Sequence, residues 1–264
     1  MKIWYQSAVE MNRAGAYSDA LNAHFKRIAN PGVEVSLFGA KAGTWGELQP
    51  AKVSGFPYVF HQVVKNIFIE AALQAESECY DAVVIGSSTD PGLREARSLV
   101  DIPIVSALES SFLVSSTLAD RIGLIAPTEE VAHIVNSNLE SYRLTSRIAA
   151  WEVLEPKLAD DELNTLFSDP SVFLDRFKAT ARRAIVKGAD AIIPSEGILA
   201  EVVATNGLTD IDGAVVVDMI GTAIAFAEMQ VKLKELTGMR PGRRWHYAKP
   251  DKSIVDAIRQ SKSK

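Results

Sequence analysis

Two short stretches hold residue types that can hold an anion or move a proton. The first is Gly86-Ser87-Ser88-Thr89-Asp90-Pro91-Gly92. Asp90 is a good N-cap there, and Pro91 suits the first position of a helix. The hydroxyls of Ser87, Ser88 and Thr89, with the backbone N–H groups beside them, suit a carboxylate or an oxyanion near a helix N-terminus. The plainer alternative is a capped helix with solvated hydroxyls. The second stretch is Pro194-Ser195-Glu196-Gly197, followed by a helical run over Ile198–Thr205. Glu196 falls where a strand passes into a helix. It is either a charge partner of the helix N-terminus or a general base whose pKa is adjusted by burial.

A carboxylate facing a hydroxyl-rich cradle suits chemistry with one base. It can move a proton next to a carbonyl while the cradle stabilises the enolate. It can also activate water for attack on a carbonyl. Weaker contact candidates are Gln6, Ser7 and Thr128, which follow the first strand of each half, and Asp218, which either holds a polar group of the ligand or caps a helix. His61 is a candidate second acid or base. It closes the long Gly39–His61 segment, whose length and aromatics suggest a lid or binding loop for a partly apolar ligand. The histidines lack partners at metal-ligand spacing, and no dinucleotide fingerprint, phosphate loop or nucleophile elbow is present. No metal or cofactor is implied.

Short apolar runs must position these groups: Ile3–Gln6, Val33–Phe38, Ala82–Ile85, Ile102–Val105, Ile122–Ala126, Ile148–Val153, Ala191–Ile193 and Ala214–Val217. They read as buried parallel strands. Helical patterns alternate with them over Ala14–Ala29, Gln62–Glu78, Pro91–Leu99, Glu109–Ala119 and Val172–Val186, which predicts an α/β fold. The strands divide into two sets of four. Tyr80–Ile85 resembles Ala189–Pro194 at an offset of 109 residues, and Lys2–Ser7 resembles Arg121–Ala126. The expectation is a duplication: two pseudo-symmetric lobes, each a four-stranded parallel sheet flanked by helices, with the active site in the cleft between them. The expected units are 1–108 plus 212–235 for the first lobe, 109–211 for the second, and a basic C-terminal extension over 236–264. The offset places Ser87 and Glu196 at matching positions, so that a pseudo-twofold axis turns both toward one ligand.

The 264-residue chain is 47% hydrophobic and 23% charged, a composition that excludes disorder and disulfide scaffolds. Its single cysteine, Cys79, reads as a small buried hydrophobe. The net charge of -5 does not favour nucleic acid. Residues 240–264 nevertheless hold eight cations against two carboxylates, a solvated extension or oligomer contact rather than a nucleic-acid arm. No secretory signal and no membrane-spanning run is read, and a cytoplasmic location is expected.

The stretch Ala82–Arg97, with its Asp90-Pro91-Gly92-Leu93 segment, followed by Ile102-Pro103-Ile104-Val105, resembles the aspartate/glutamate/hydantoin racemase superfamily. Gly188–Ile193 resembles the strand before that family's second catalytic position. The likeness extends over roughly residues 1–235. It implies two pseudo-symmetric α/β lobes, cofactor-independent chemistry between them, and a homo-oligomer. The family's racemases use one cysteine per lobe. The matching positions here are Ser87 and Glu196, or Ser195 if the alignment slips by one. A two-thiol racemisation is therefore not expected. The expected activity is Glu196-based proton transfer on a small carbonyl or carboxylate compound or a cyclic amide, with Ser87 as its catalytic counterpart and Ser88, Thr89 and Ser195 as substrate contacts. Hydrolysis or decarboxylation by Glu196 and the hydroxyl cradle, and a non-catalytic small-ligand binder, are the alternatives.

Overall fold

The computed structural model describes residues 1–48, 50–157 and 165–262. Among the described residues, nine strands fall into two sheets. The first contains β1 (Lys2–Gln6), β2 (Glu34–Phe38), β3 (Ala82–Ile85) and β4 (Ile104–Ser106), in the order β2-β1-β3-β4 and parallel throughout. The second contains β5 (Ile122–Ala126), β6 (Ile148–Val153), β7 (Ala191–Pro194), β8 (Asp210–Ile211) and β9 (Ala214–Val216), in the order β6-β5-β7-β9-β8. Without β8, the two orders are the same, and the pseudo-symmetry of the lobes follows directly. β8 runs antiparallel to β9, joined through Asp212 and Gly213, which both take positive φ (51° and 88°). A two-residue hairpin turn requires that conformation, and Asp-Gly supplies it.

β3, β5 and β7 are buried along their whole length. Helices cover both faces of each sheet, so alternation of polar and apolar residues is absent. The long helices are α1 (Gly15–Ile28), α2 (Lys65–Ser77), α3 (Leu93–Leu99), α4 (Ala107–Leu118), α5 (Glu129–Tyr142), α6 (Ser171–Val186), α7 (Gly197–Thr205), α8 (Met219–Thr237) and α9 (Lys252–Lys262). Two of them cross between the lobes. α4 leaves the first sheet, and its Leu108 and Phe112 pack against Ile122, Leu124, Ala191 and Ile193 of the second. α8 leaves the second sheet, and its Ile220, Ala223 and Ile224 pack against Ile3, Tyr5 and Val84 of the first. The lobes are thus joined by an exchange of equivalent helices. This refines the expected boundary at 212. β9 pairs with β7 in the second sheet, and only the helix after it covers the first lobe.

Three local expectations differ. The helix leading into α2 begins at Pro57, not Gln62, and runs through a π-helical turn at Phe60–Val64. Pro57 takes the N1 position that its fixed φ favours, so His61 lies on a helix and the preceding loop is shorter. That loop is tied to its own lobe by Trp45, which is buried and donates to Ala8 O at 2.9 Å, while Phe56 and Tyr58 stay exposed. Cys79 is exposed, in a left-handed turn that ends α2. The basic tail folds back on the first lobe. Arg243 and Lys249 both bond Asp101, and Arg259 bonds Glu70 at 2.7 Å. Lys264 and the Lys262 side chain lie outside the described residues. Among the described residues, no helix is long and apolar enough to cross a membrane.

Candidate active site

The turns after β3 and β7 meet. Ser88 Oγ donates to Ser195 O at 2.7 Å, a buried bond from lobe to lobe. A Cβ on Gly197 would lie 3.4 Å from Gly86 O and 3.2 Å from the Tyr17 hydroxyl oxygen, and one on Gly86 would lie 2.4 Å from the Tyr5 ring. Glycine at both places lets the turns and the two tyrosine rings approach closely. Ser88 and Ser195 are spent in this joint, since Ser195 Oγ donates to Ile193 O at 3.2 Å. Both residues are buried, so they hold the turns together, a different role from the expected substrate contact. Ser87 and Thr89 are half-buried, and their hydroxyls bond each other at 2.9 Å. They are the hydroxyls of the turn that remain partly open.

Glu196 is the N-cap of α7, with extended backbone (φ -162°). Its Oε2 accepts from Leu199 N–H at 3.0 Å, and the N–H groups of Gly197 and Ile198 act on the same carboxylate. Burial pushes its pKa up, and those backbone donors offset the rise only in part. The cap and the raised proton affinity therefore coexist in one side chain. A carboxylate aimed along helical N–H groups, with raised proton affinity, is suited to accept a proton.

Beside this joint lies a cavity of about 720 Å³ between the lobes. Thr89 and Asp90 line it from the first lobe, with Phe60, His61 and Lys65 on one side and His133, Ile134 and Asn138 of α5 on the other. Asn138 Nδ2 donates to Thr89 O at 2.7 Å, which fixes α5 against the hydroxyl turn. Thr128 is the N-cap of α5, accepting from Val131 N–H at 3.3 Å. It orients the cavity wall but does not line it. His61 and Thr89 are thus brought to one cavity. Thr89 also links that cavity by one hydrogen bond to Ser87.

Asp90 does not cap α3, contrary to the sequence expectation. The cap is Gly92, at φ 71°, and the helix starts at Leu93. The Asp90 carboxylate turns inward, where it accepts from Ser106 Oγ and, at 3.0 Å, from Tyr142 Oη. Capping preference is a local rule, and here two hydroxyls distant in sequence override it.

Three other candidates are engaged elsewhere. Gln6 is buried, accepts from Trp4 Nε1 at 2.9 Å and donates to Ser7 O. Ser7 Oγ accepts from Val9 N–H at 3.2 Å. Asp218 caps α8 through Gly221 N–H at 2.8 Å and bonds His24 Nε2 at 2.9 Å. His24 Nδ1 bonds Glu201 at 2.8 Å, so a buried imidazole lies between two carboxylates. Their hydrogen bonds raise its pKa to about 9, against the lowering effect of burial. It is therefore an imidazolium at neutral pH, an ion bridge from α1 to α7 and α8. The residues missed in the sequence were Asp90, Asn138 and Tyr142. Only Asp90 carried a local signal, and that signal pointed to a cap.

The family profile described as Asp/Glu/Hydantoin racemase matches residues 61–194. A hydantoin racemase of Pseudomonas sp. (strain NS671) is 28% identical over 170 residues, 64% of this chain and 66% of that protein. A hydantoin racemase of Paenarthrobacter aurescens is 24% identical over 245 residues, 92% of this chain and 95% of that protein. Among solved structures, an allantoin racemase from Klebsiella pneumoniae superposes with a TM-score of 0.75 at 19% identity, covering 96% of this chain and 94% of that one. That likeness is one of fold.

Proposed function

The chain belongs to the Asp/Glu/hydantoin racemase family, and from that premise we propose that it interconverts the stereoisomers of a small cyclic amide of the hydantoin or allantoin kind. The observation that carries the reading is the placement of Glu196, a partly buried carboxylate of raised proton affinity, at a turn bonded directly to the hydroxyl turn of the other lobe. Glu196 removes the proton from the carbon next to the carbonyl. The enolate oxygen accepts from whichever hydroxyl of the Ser87–Thr89 pair their mutual bond leaves free to donate. Water reaching the opposite face from the cavity supplies the proton that completes the inversion, and Glu196 returns the proton it took to solvent. On the resemblance, the family's two cysteine positions fall at Ser87 and at Glu196 or Ser195, and the reading therefore runs without a thiol pair. The substituent of the ring carbon occupies the cavity beyond Thr89, between Phe60 and Ile134. A small-molecule substrate, no resident cofactor, a homo-oligomeric state and a cytoplasmic location complete the reading.

The test follows the optical activity of single enantiomers of allantoin and of 5-alkyl and 5-aryl hydantoins incubated with the protein. The expected result is decay to zero at constant substrate concentration. Ring opening, or retention of optical activity across the whole panel, overturns the proposal.

A further inference from the structure

Asp90 lines the floor of the cavity and is 6% exposed. Its two oxygens accept from hydroxyls that arrive from different lobes. Ser106 ends β4 of the first, and Tyr142 ends α5 of the second. No cation bonds it among the described residues. Arg97 of α3, whose charge acts on Asp90, is bonded to Glu109 of α4. The Asp90 backbone lies in the left-handed region, at φ 46°, a conformation strained for a residue with a Cβ. Next to it, Thr89 O takes the Asn138 bond from α5. Buried carboxylates without a cation and strained backbone both lower stability, and both concentrate where function requires them.

We propose that Asp90 is a positioning residue of the active site, locking the hydroxyl turn of the first lobe to the cavity wall supplied by α5 of the second. The inference rests on the functional reading above. In its ionised form Asp90 accepts both hydroxyls, as the structure has them. Protonation removes one acceptor position and loosens the turn from Tyr142. Burial raises its pKa to about 7, with Glu109 adding to the rise and Ser106, Tyr142 and Arg97 opposing it. The folded value lies above the usual 3.8, so ionisation of this group opposes folding increasingly as pH rises from about 4 to 7. Asp90→Asn removes that opposition, keeps the size, and leaves both hydroxyls able to act as acceptors.

The experiment compares wild type with Asp90→Asn at pH 5 and pH 8. The expected result is that the unfolding temperature of the variant, relative to wild type, rises with pH. Exchange of the substrate's α-proton at pH 8 falls at least tenfold. In ¹H–¹⁵N spectra of the ligand-free protein, the Ser87 and Thr89 amides and the Asn138 side-chain amide shift with a midpoint near 7. That titration is absent in Asp90→Asn and moves upward in Tyr142→Phe. Unchanged exchange in the variant overturns the inference. So does an equal loss of unfolding temperature at both pH values with no titration at Thr89 or Asn138, which marks a packing residue only. If wild type itself exchanges no α-proton, the functional reading fails, and the Thr89 and Asn138 titration still decides whether Asp90 links the lobes.

Discussion

The turn after β3 and the turn after β7 occupy equivalent places in sheets of the same strand order, yet they differ in chemistry. The first presents hydroxyls, at Ser87 and Thr89, and hides a carboxylate beneath them. The second presents one carboxylate, Glu196, and hides a hydroxyl, Ser195, in the joint. The fold imposes the position, the helix start and the close approach. It does not impose the reacting group. A duplicated scaffold can therefore keep a two-sided site while its two sides take unlike roles, one as base and one as anion cradle.

Removal of the base breaks that comparison most severely. Glu196→Gln keeps the cap, since the amide oxygen still accepts from Leu199 N–H, but loses the proton acceptor. Turnover is expected to drop by about 10²–10⁴-fold, the usual contribution of a general base, with ligand affinity measured by calorimetry preserved. Ser87→Ala removes only one donor from the cradle. A smaller loss, concentrated in kcat, is expected from parallel kinetics on the two variants.

The second break concerns the ion bridge under the β7 turn. His24→Ala leaves Glu201 buried without a counter-charge, and removal of one partner of such a bridge costs about 3–5 kcal/mol in denaturant unfolding. The bridge also sets a pH window. The folded pKa of His24, about 9, exceeds its ordinary 6.5, so its stabilisation is complete below about 6.5 and is lost as pH rises through 9. An alkaline decline in wild-type unfolding temperature that is absent in His24→Gln is the expected signature. Asp90 also lowers stability as pH rises, but in a lower window, from about 4 to 7, and the two windows tell the scaffold bridge from the buried carboxylate under the hydroxyl turn.

The glycines sharpen the comparison further. Gly86→Ala places a methyl 2.4 Å from the buried Tyr5 ring, whereas Gly197→Ala places one 3.2 Å from the Tyr17 hydroxyl oxygen. Chemical denaturation is expected to show a loss of about 1–3 kcal/mol for the first and less for the second. The smallest effect belongs to the tail. Asp101 is about half exposed, so Asp101→Asn costs less than about 1 kcal/mol despite its two cationic partners. Those partners lower its pKa to about 2. Its small contribution is therefore present above about 4 and lost as pH falls through 2.

Much of the architecture was legible in the sequence because buried strands of this kind are short and nearly all apolar. The repeat at an offset of 109 residues carried the duplication and put Ser87 and Glu196 in register. β8 escaped notice because two residues form no pattern. The site was read less well where tertiary partners override a local rule. Asp90 has the sequence signature of a helix cap and turns instead toward Ser106 and Tyr142. Asp218 and Thr128 have the same signature and do cap. Nothing within a few residues of Asp90 distinguishes the three, because the deciding hydroxyl of Tyr142 is 52 residues away. The fold-back of the tail likewise depends on Asp101 and Glu70, far from the cations that reach them.

The central claim is that Glu196 moves a proton at a carbon next to a carbonyl. The most direct measurement is proton NMR of one enantiomer of allantoin or a 5-substituted hydantoin incubated in D₂O with wild type and with Glu196→Gln. The account predicts that the α-proton signal disappears with wild type while the ring stays intact, that the inverted product carries deuterium, and that the variant leaves the signal in place. Loss of the α-proton at the same rate in both proteins, or ring opening without exchange, contradicts it.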